Sequence, residues 1–266
     1  LDIPVLHDDQ HGTAVTIAAA LLNACEVCGK SITDIKIVIC GAGAAAISSA
    51  TMLLEIGVGK EQIIMLDSKG VISTHRAELD DSKARFATNT TATTLSQAIE
   101  GADAFIGLSK GDILEDSDVK SMSPSPIIFA LANPVPEISY QRAKSLRPDA
   151  IVATGRSDNP NQINNVLAFP YLFRGALDTL STTINETMKI AAAKSIASIA
   201  QRAVSKEIVE QYGRTFTFGH EYILPKPGDR RLLIEVSSAV ARAAMESGVA
   251  RRSIASFEEY GRTLLS

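Results

Sequence analysis

KIVICGAGAAAIS, residues 36–48, sets a β-branched run directly against a turn of glycine and alanine and then an apolar helical start. Lys36 to Cys40 reads as a strand, because branched side chains suit a pleated surface that is packed on its faces. The turn matches the G-x-G-x-x-G/A pattern of a dinucleotide-binding βαβ unit. Gly41 permits the tight turn, Gly43 lets a pyrophosphate approach the backbone, and Ala46 lets helix and strand pack closely. Amides around Ala42, Ala44 and Ala45, together with the helix dipole, then favour phosphate oxygens. Asp67 ends the next strand, QIIML, where an acid accepts hydrogen bonds from an adenosine ribose. A carboxylate there favours NAD by repelling the 2′-phosphate of NADP, yet Ser68 and Lys69 follow at once and a lysine can pair with that phosphate. The choice between NAD and NADP stays open at this stage.

Outward from the turn, apolar periodicity from Thr13 to Val27 predicts a buried helix that Gly29 ends. Further strands are expected at ADAFIGL (102–108), PIIFALAN (126–133) and AIVATG (150–155), with helices through about Ile56 and from Leu95 to Glu100. Strand and helix alternating at this spacing predict an α/β fold, a doubly wound parallel sheet of Rossmann type with right-handed crossovers. From Asn185 the pattern turns helical, in ETMKIAAAKSIASIAQRAV and EVSSAVARAAMESGV. The expectation is one domain over 1–266, with its Rossmann core at about 13–180 and additional C-terminal helices over about 184–266.

The chain has 266 residues, 45% hydrophobic, enough to bury a proper core. Its formal net charge of -4, with Lys and Arg scattered, supplies no basic face for nucleic acid or anionic lipid. No apolar run approaches the ~20 residues of a membrane span. Small-molecule chemistry is therefore expected, with neither nucleic-acid nor membrane partners. Cys25 and Cys28 form a C-x-x-C at the end of an apolar helical run, not at the helix start a redox pair favours, and no second pair is present to complete a zinc site. They read as packed thiols and Cys40 as a strand residue, a usage that fits a reducing, cytoplasmic setting.

Ligands of a doubly wound sheet sit beyond the carboxyl ends of the strands, so polar residues there are candidates. Ser109 follows IGL, Asn133 closes IIFALAN, and TGRSDNPNQINN follows AIVA. Asn159 and Asn161, beside Pro160, suit turn shaping. Asn133, Asn164 and Asn165 suit recognition, since an amide both donates to and accepts from a small acid or a nicotinamide. Near the N-terminus, HDDQH (7–11) offers two histidines four apart with two carboxylates between them.

These segments together resemble the malic enzymes, in particular the bacterial type. The resemblance runs through IPVLHDDQHGTA, KIVICGAGAAAIS, MLDSKGVI, IFALANPVPEI, IVATGRSDNPNQINNVLAFPYLFRGALD, INETMKIAAAKSIA and YILPKPGDRRLL, in the family's order and over nearly the whole chain. It implies oxidative decarboxylation of L-malate to pyruvate and CO2 with NAD or NADP and a divalent Mg2+ or Mn2+. It makes Asp9 a metal carboxylate, Asp8 the acid supporting a catalytic lysine, and Asn133 with Asn164 and Asn165 the amides for malate and nicotinamide. Thr13, Gly41, Ala42, Gly43, Ala44, Ala45, Asp67, Ser68, Lys69, Ser109 and Asn133 form the cofactor set. The family's catalytic lysine, proton-donating tyrosine, substrate arginine and two further metal carboxylates lie upstream of the segment where this chain begins. The implied partners are therefore malate or pyruvate, an N-terminal domain of the same protein, and further copies of the chain in a homo-oligomer; the chain alone is expected to turn malate over poorly or not at all.

Two other readings compete. H-x-x-x-H at His7 and His11 suggests a zinc hydrolase, although Asp8 stands where a zincin has its glutamate. A non-catalytic dinucleotide sensor would use the glycine turn without the rest.

Overall fold

Five short apolar strands build the centre of the computed structural model, which describes residues 3–265. They are β1 (Ile37–Cys40), β2 (Ile63–Asp67), β4 (Ala104–Gly107), β5 (Ile127–Ala130) and β6 (Ile151–Thr154), with two-residue strands β3 (Gly70–Val71) and β7 (Asn161–Gln162) at the edges. The order is β3-β2-β1-β4-β5-β6-β7, every pairing parallel except β2 with β3. Ile37 pairs with Ile63 on one side and Ala104 on the other, so the order reverses between β1 and β4. This is the α/β, doubly wound sheet that the strand and helix spacing predicts. β4 and β5 are shorter than their apolar runs, because residues past Gly107 and Ala130 leave the ladder for loops. The two edge strands, too short to carry a period, went unpredicted.

The described residues pack as two units, 24–163 and 3–23 with 164–265. Residues 1, 2 and 266 of the expected 1–266 domain lie outside the description. In the sheet unit, Val38, Phe105, Ile128 and Val152 share one face with Ile99, Val119 and Ala143 from the helices Leu95–Ile99, Asp116–Ser121 and Tyr140–Leu146. Ile37, Ile39, Ile127 and Phe129, one residue out of step, are equally buried on the opposite face. Each fully buried Ile or Phe contributes about 2 kcal/mol by removal from water.

The first helix, α1 (Asp8–Cys28), starts five residues before the apolar periodicity does, because Asp8 and Asp9 favour the positive end of its dipole. The backbone carbonyl of His7 accepts its first turn from the His11 N–H at 2.8 Å. Gly29, at φ +63°, ends it as predicted. Within its 21 residues α1 holds an 18-residue window apolar enough to span a membrane by length and composition, and 67% of that window is buried as in a core helix. All three cysteines are free, and burial pushes the Cys25 thiol up to about 12, in keeping with a packed thiol.

In the helical unit, Phe169–Asp178 and Glu186–Ala200 pack with Ser237–Glu246, which continues from a π-helical turn over Leu232–Val236. Buried Asn23 donates to the carbonyls of Ala197 and Ile223 at 2.9 and 2.8 Å and accepts from Gln201 Nε2 at 2.9 Å. The unit boundaries fall at Asn23 and Asn164, and Phe169–Asp178 packs with Ser237–Glu246.

Candidate functional site

At the carboxyl end of β1 the chain must turn within touching distance of β4. Gly41 takes φ +129°, and a Cβ there would lie 2.5 Å from the Leu108 carbonyl oxygen, so only glycine fits. The next helix, α2 (Ala44–Glu55), starts at Gly43 with no side chain capping it. A Cβ on Gly43 would meet nothing within 4 Å. The first glycine thus closes the turn against protein, and the second leaves open space over uncapped first-turn amides, the arrangement a pyrophosphate needs.

A cleft of about 830 Å3 opens here, lined among others by Gly41, Ala42, Gly43, Asp67, Ser68, Lys69 and Ser109. Ala44 and Ala45, the first residues of α2, stand beside its lining. Asn133 is exposed just past β5, and Thr13 lies half-buried in α1; neither lines the cleft.

Asp67 departs from the simple expectation for a ribose acid. Its carboxylate is 9% exposed and held by Arg76, whose Nη1 and Nη2 reach Oδ1 and Oδ2 at 2.9 and 3.1 Å. Lys83 Nζ lies 3.3 Å from Oδ2, and the Lys69 N–H donates to Oδ1 at 2.9 Å. Burial pushes this carboxyl up, but the hydrogen bonds from Arg76, the Lys69 amide and Lys83 outweigh it and hold it at about 2. Arg76 and Lys83 were missed in the sequence. Their only signal is cationic residues in the polar stretch after an acid-ended β2.

The helical unit gathers a second set. Asp8, in the first turn of α1, accepts at Oδ2 from Asn165 Nδ2 at 2.5 Å, while its Oδ1 is buried without a partner. Gly12 makes the recess, since a Cβ there would sit 2.1 Å from Oδ1. Burial first, then the neighbouring Asp9 charge, pushes the Asp8 carboxyl up. Asp9 itself is exposed. Asn164 turns inward on its own loop, its Oδ1 accepting the Val166 N–H at 2.9 Å and its carbonyl accepting Thr16 Oγ1 at 3.3 Å. The structure therefore brings Asn165 to Asp8, across 157 residues, and gives Asn164 a loop-capping contact.

Among the described residues no three His, Cys, Asp or Glu side chains are grouped to hold a metal ion. His7 is exposed, and His11 faces Lys189 Nζ at 3.4 Å, which also reaches Glu186 at 2.5 Å. The zinc reading thus lacks a third ligand here. A divalent cation finds one exposed and one half-buried carboxylate, well short of the six or so oxygens it needs; these residues alone do not fit it.

The model of the malic enzyme NAD-binding domain matches residues 10–210. The NADP-dependent malic enzyme of Halomonas elongata is 51% identical over 252 residues, covering 94% of this chain and 60% of that protein. The NAD-dependent malic enzyme of Rhizobium meliloti is 47% identical, covering 98% of this chain and 34% of that protein. The crystal structure of malic enzyme from Pyrococcus horikoshii superposes with a TM-score of 0.87 at 37% identity, covering 100% of this chain and 60% of that one. This chain thus spans only about a third to three fifths of its relatives' length.

Proposed function

Because the chain belongs to the malic enzyme family, matching its NAD-binding domain, we propose that its protein oxidises and decarboxylates L-malate to pyruvate and CO2 with NADP, this chain supplying the dinucleotide site. The observation that carries the reading is the cleft in which an open Gly43 faces the uncapped start of α2 and Asp67 lies neutralised beside it. Gly41 to Ala45 would hold the pyrophosphate and Asp67 the adenosine ribose edge. Asp67, with Arg76, Lys83 and Lys69 around it, no longer repels a 2′-phosphate; Ser68, Lys69 and Lys83 are the groups for it. Ser109 and Asn133 would take the nicotinamide half. When bound, NADP supplies a hydride acceptor.

Asp8, Asp9, Asn164 and Asn165 belong to the substrate side of the same proposal, and Thr13 to its cofactor side. Asp8 keeps an unshared oxygen in a half-buried recess and can take a hydrogen bond from a cation or proton donor contributed by another segment. No step through a metal is derived from this chain, whose residues do not enclose one. One cofactor domain, homo-oligomers and a cytoplasmic setting complete the proposal, supported by the family resemblance and the free thiols.

Titration of the chain with NADP and NAD, followed by malate-dependent reduction in the complete protein with Mg2+, tests it. NADP should bind at least about tenfold tighter, the worth of one charge-assisted phosphate contact, and pyruvate should accumulate. Tighter NAD binding would overturn the cofactor assignment, and oxaloacetate accumulating without pyruvate would overturn the decarboxylation.

A further inference from the structure

One buried charge in the sheet unit has no part in the cleft as described. Glu137, at the end of Asn133-Pro134-Val135-Pro136, is 0% exposed, and no ion pair includes it among the described residues. Its Oε1 accepts the Ser109 N–H at 3.2 Å and its Oε2 the Ala132 N–H at 3.0 Å. Its own carbonyl accepts the Ile113 and Leu114 amides at 3.1 and 3.2 Å. Gly107, the last residue of β4, makes the recess: a Cβ there would lie 2.2 Å from the Glu137 carboxyl carbon. Burial pushes this carboxyl up while the amide bonds work against the rise.

A buried carboxylate without a cation is a costly way to tie two loops, and an apolar side chain would leave the Ser109 and Ala132 amides without an acceptor. What only a fixed two-oxygen acceptor achieves is a set spacing between the segment leaving β4 and the segment leaving β5. Those segments carry Ser109 and Asn133. They leave the strands on the far side of the β1–β4 order reversal from Asp67, where a dinucleotide crossing the sheet places its second nucleoside.

We propose that Glu137 is a positioning residue that fixes the Ser109 and Asn133 segments for the nicotinamide ribose half of the dinucleotide. This rests on the dinucleotide reading above. The adenosine half, held at Asp67, Lys69 and Lys83, is independent of it.

The test titrates the chain and its Glu137→Gln variant with NADP and with 2′,5′-ADP, which carries the adenosine half only. Gln keeps the shape but turns a donor toward an amide, so NADP should bind about tenfold more weakly while 2′,5′-ADP changes by less than about twofold. Unchanged NADP binding, or a parallel loss of both ligands by a variant that melts like the parent, overturns the proposal. A parent chain that binds neither ligand overturns the dinucleotide reading and the proposal with it. Hydrogen exchange on the unmutated chain decides the matter should the variant not fold. NADP should slow exchange at the Ser109 and Ala132 amides beyond what 2′,5′-ADP does; equal protection by the two ligands overturns the assignment.

Discussion

Glu137 in the sheet unit and Asp8 in the helical unit both occupy recesses that a glycine leaves open, yet only one has its oxygens satisfied. Gly107 makes room for Glu137, and backbone amides take both carboxylate oxygens. Gly12 makes room for Asp8, and one buried oxygen is left with no partner. A fully bonded carboxylate has finished its work when the chain folds. A half-bonded one carries an unmet desolvation cost and is suited to a group that arrives later. The Glu137 recess is thus closed by the chain's own amides, and the Asp8 recess keeps one oxygen unmet.

The widest break in that contrast would be turnover. This 266-residue chain, supplied with malate, NADP and Mg2+, should reduce no cofactor above background while still binding NADP, since no three metal-ligating side chains are grouped among its described residues. A spectrophotometric assay showing steady malate-dependent NADPH formation would mean that the Asp8 recess is complete as it stands.

Next in size is the energetic difference between the two recesses. Gly107→Ala drives a Cβ into a fully buried carboxyl with nowhere to go and should cost about 3 kcal/mol, the upper range for overpacking. Gly12→Ala pushes on a half-buried Asp8 that can swing outward, and alanine recovers up to about 1 kcal/mol of helix propensity in α1, so the net change should stay within about 1 kcal/mol. Urea denaturation of both variants measures this. Equal penalties would show that the Asp8 recess is as rigid as the Glu137 recess.

Legibility in the sequence divides along the same line. Gly41, Gly43 and Asp67 could be read because turn geometry and strand spacing are local. Arg76 and Lys83 could not, since the polar stretch after β3 has no period and its fold is set by the acid it wraps. Glu137, after two prolines, is not singled out in the sequence, because its burial arises from Gly107 on another strand. Asp8 and Asn165 are each singled out in the sequence, but their pairing across 157 residues has no local signal. The start of α1, five residues before the apolar period, is set by Asp8 and Asp9, polar residues that carry no hydrophobic period.

Lys83 sharpens the account of the cofactor side. Lys83→Ala removes a cation from Asp67 and from the expected 2′-phosphate locus at once. NADP affinity should fall about tenfold, as for one charge-assisted contact, and NAD affinity by less than about twofold. Isothermal titration with both nucleotides reads the ratio, and parallel losses would remove Lys83 from cofactor discrimination.

The smallest effect concerns how Asp67 is held. Its carboxyl lies at about 2, below its ordinary value, so its pairing stabilises the fold above the unfolded value of about 4 and is lost as pH falls through the folded one. Arg76→Ala removes two of its hydrogen bonds and brings the carboxyl up toward the ordinary range. The variant should be less stable at pH 7 by about 1 kcal/mol, the net worth of a typical hydrogen bond, because Lys83 and the Lys69 amide still hold the carboxylate. That difference should shrink steadily between about pH 4 and pH 2, as protonation removes in the parent what the substitution has already removed. Arg76 also approaches the carbonyls of Gly70 and Val71 at 3.5 and 3.4 Å, contacts indifferent to this titration, so a small residue of the penalty should persist in acid. Thermal melts of parent and variant from pH 7 downward follow the difference. A penalty constant across that range would place the whole contribution of Arg76 in those backbone contacts and leave Asp67 held by Lys83 and the Lys69 amide alone.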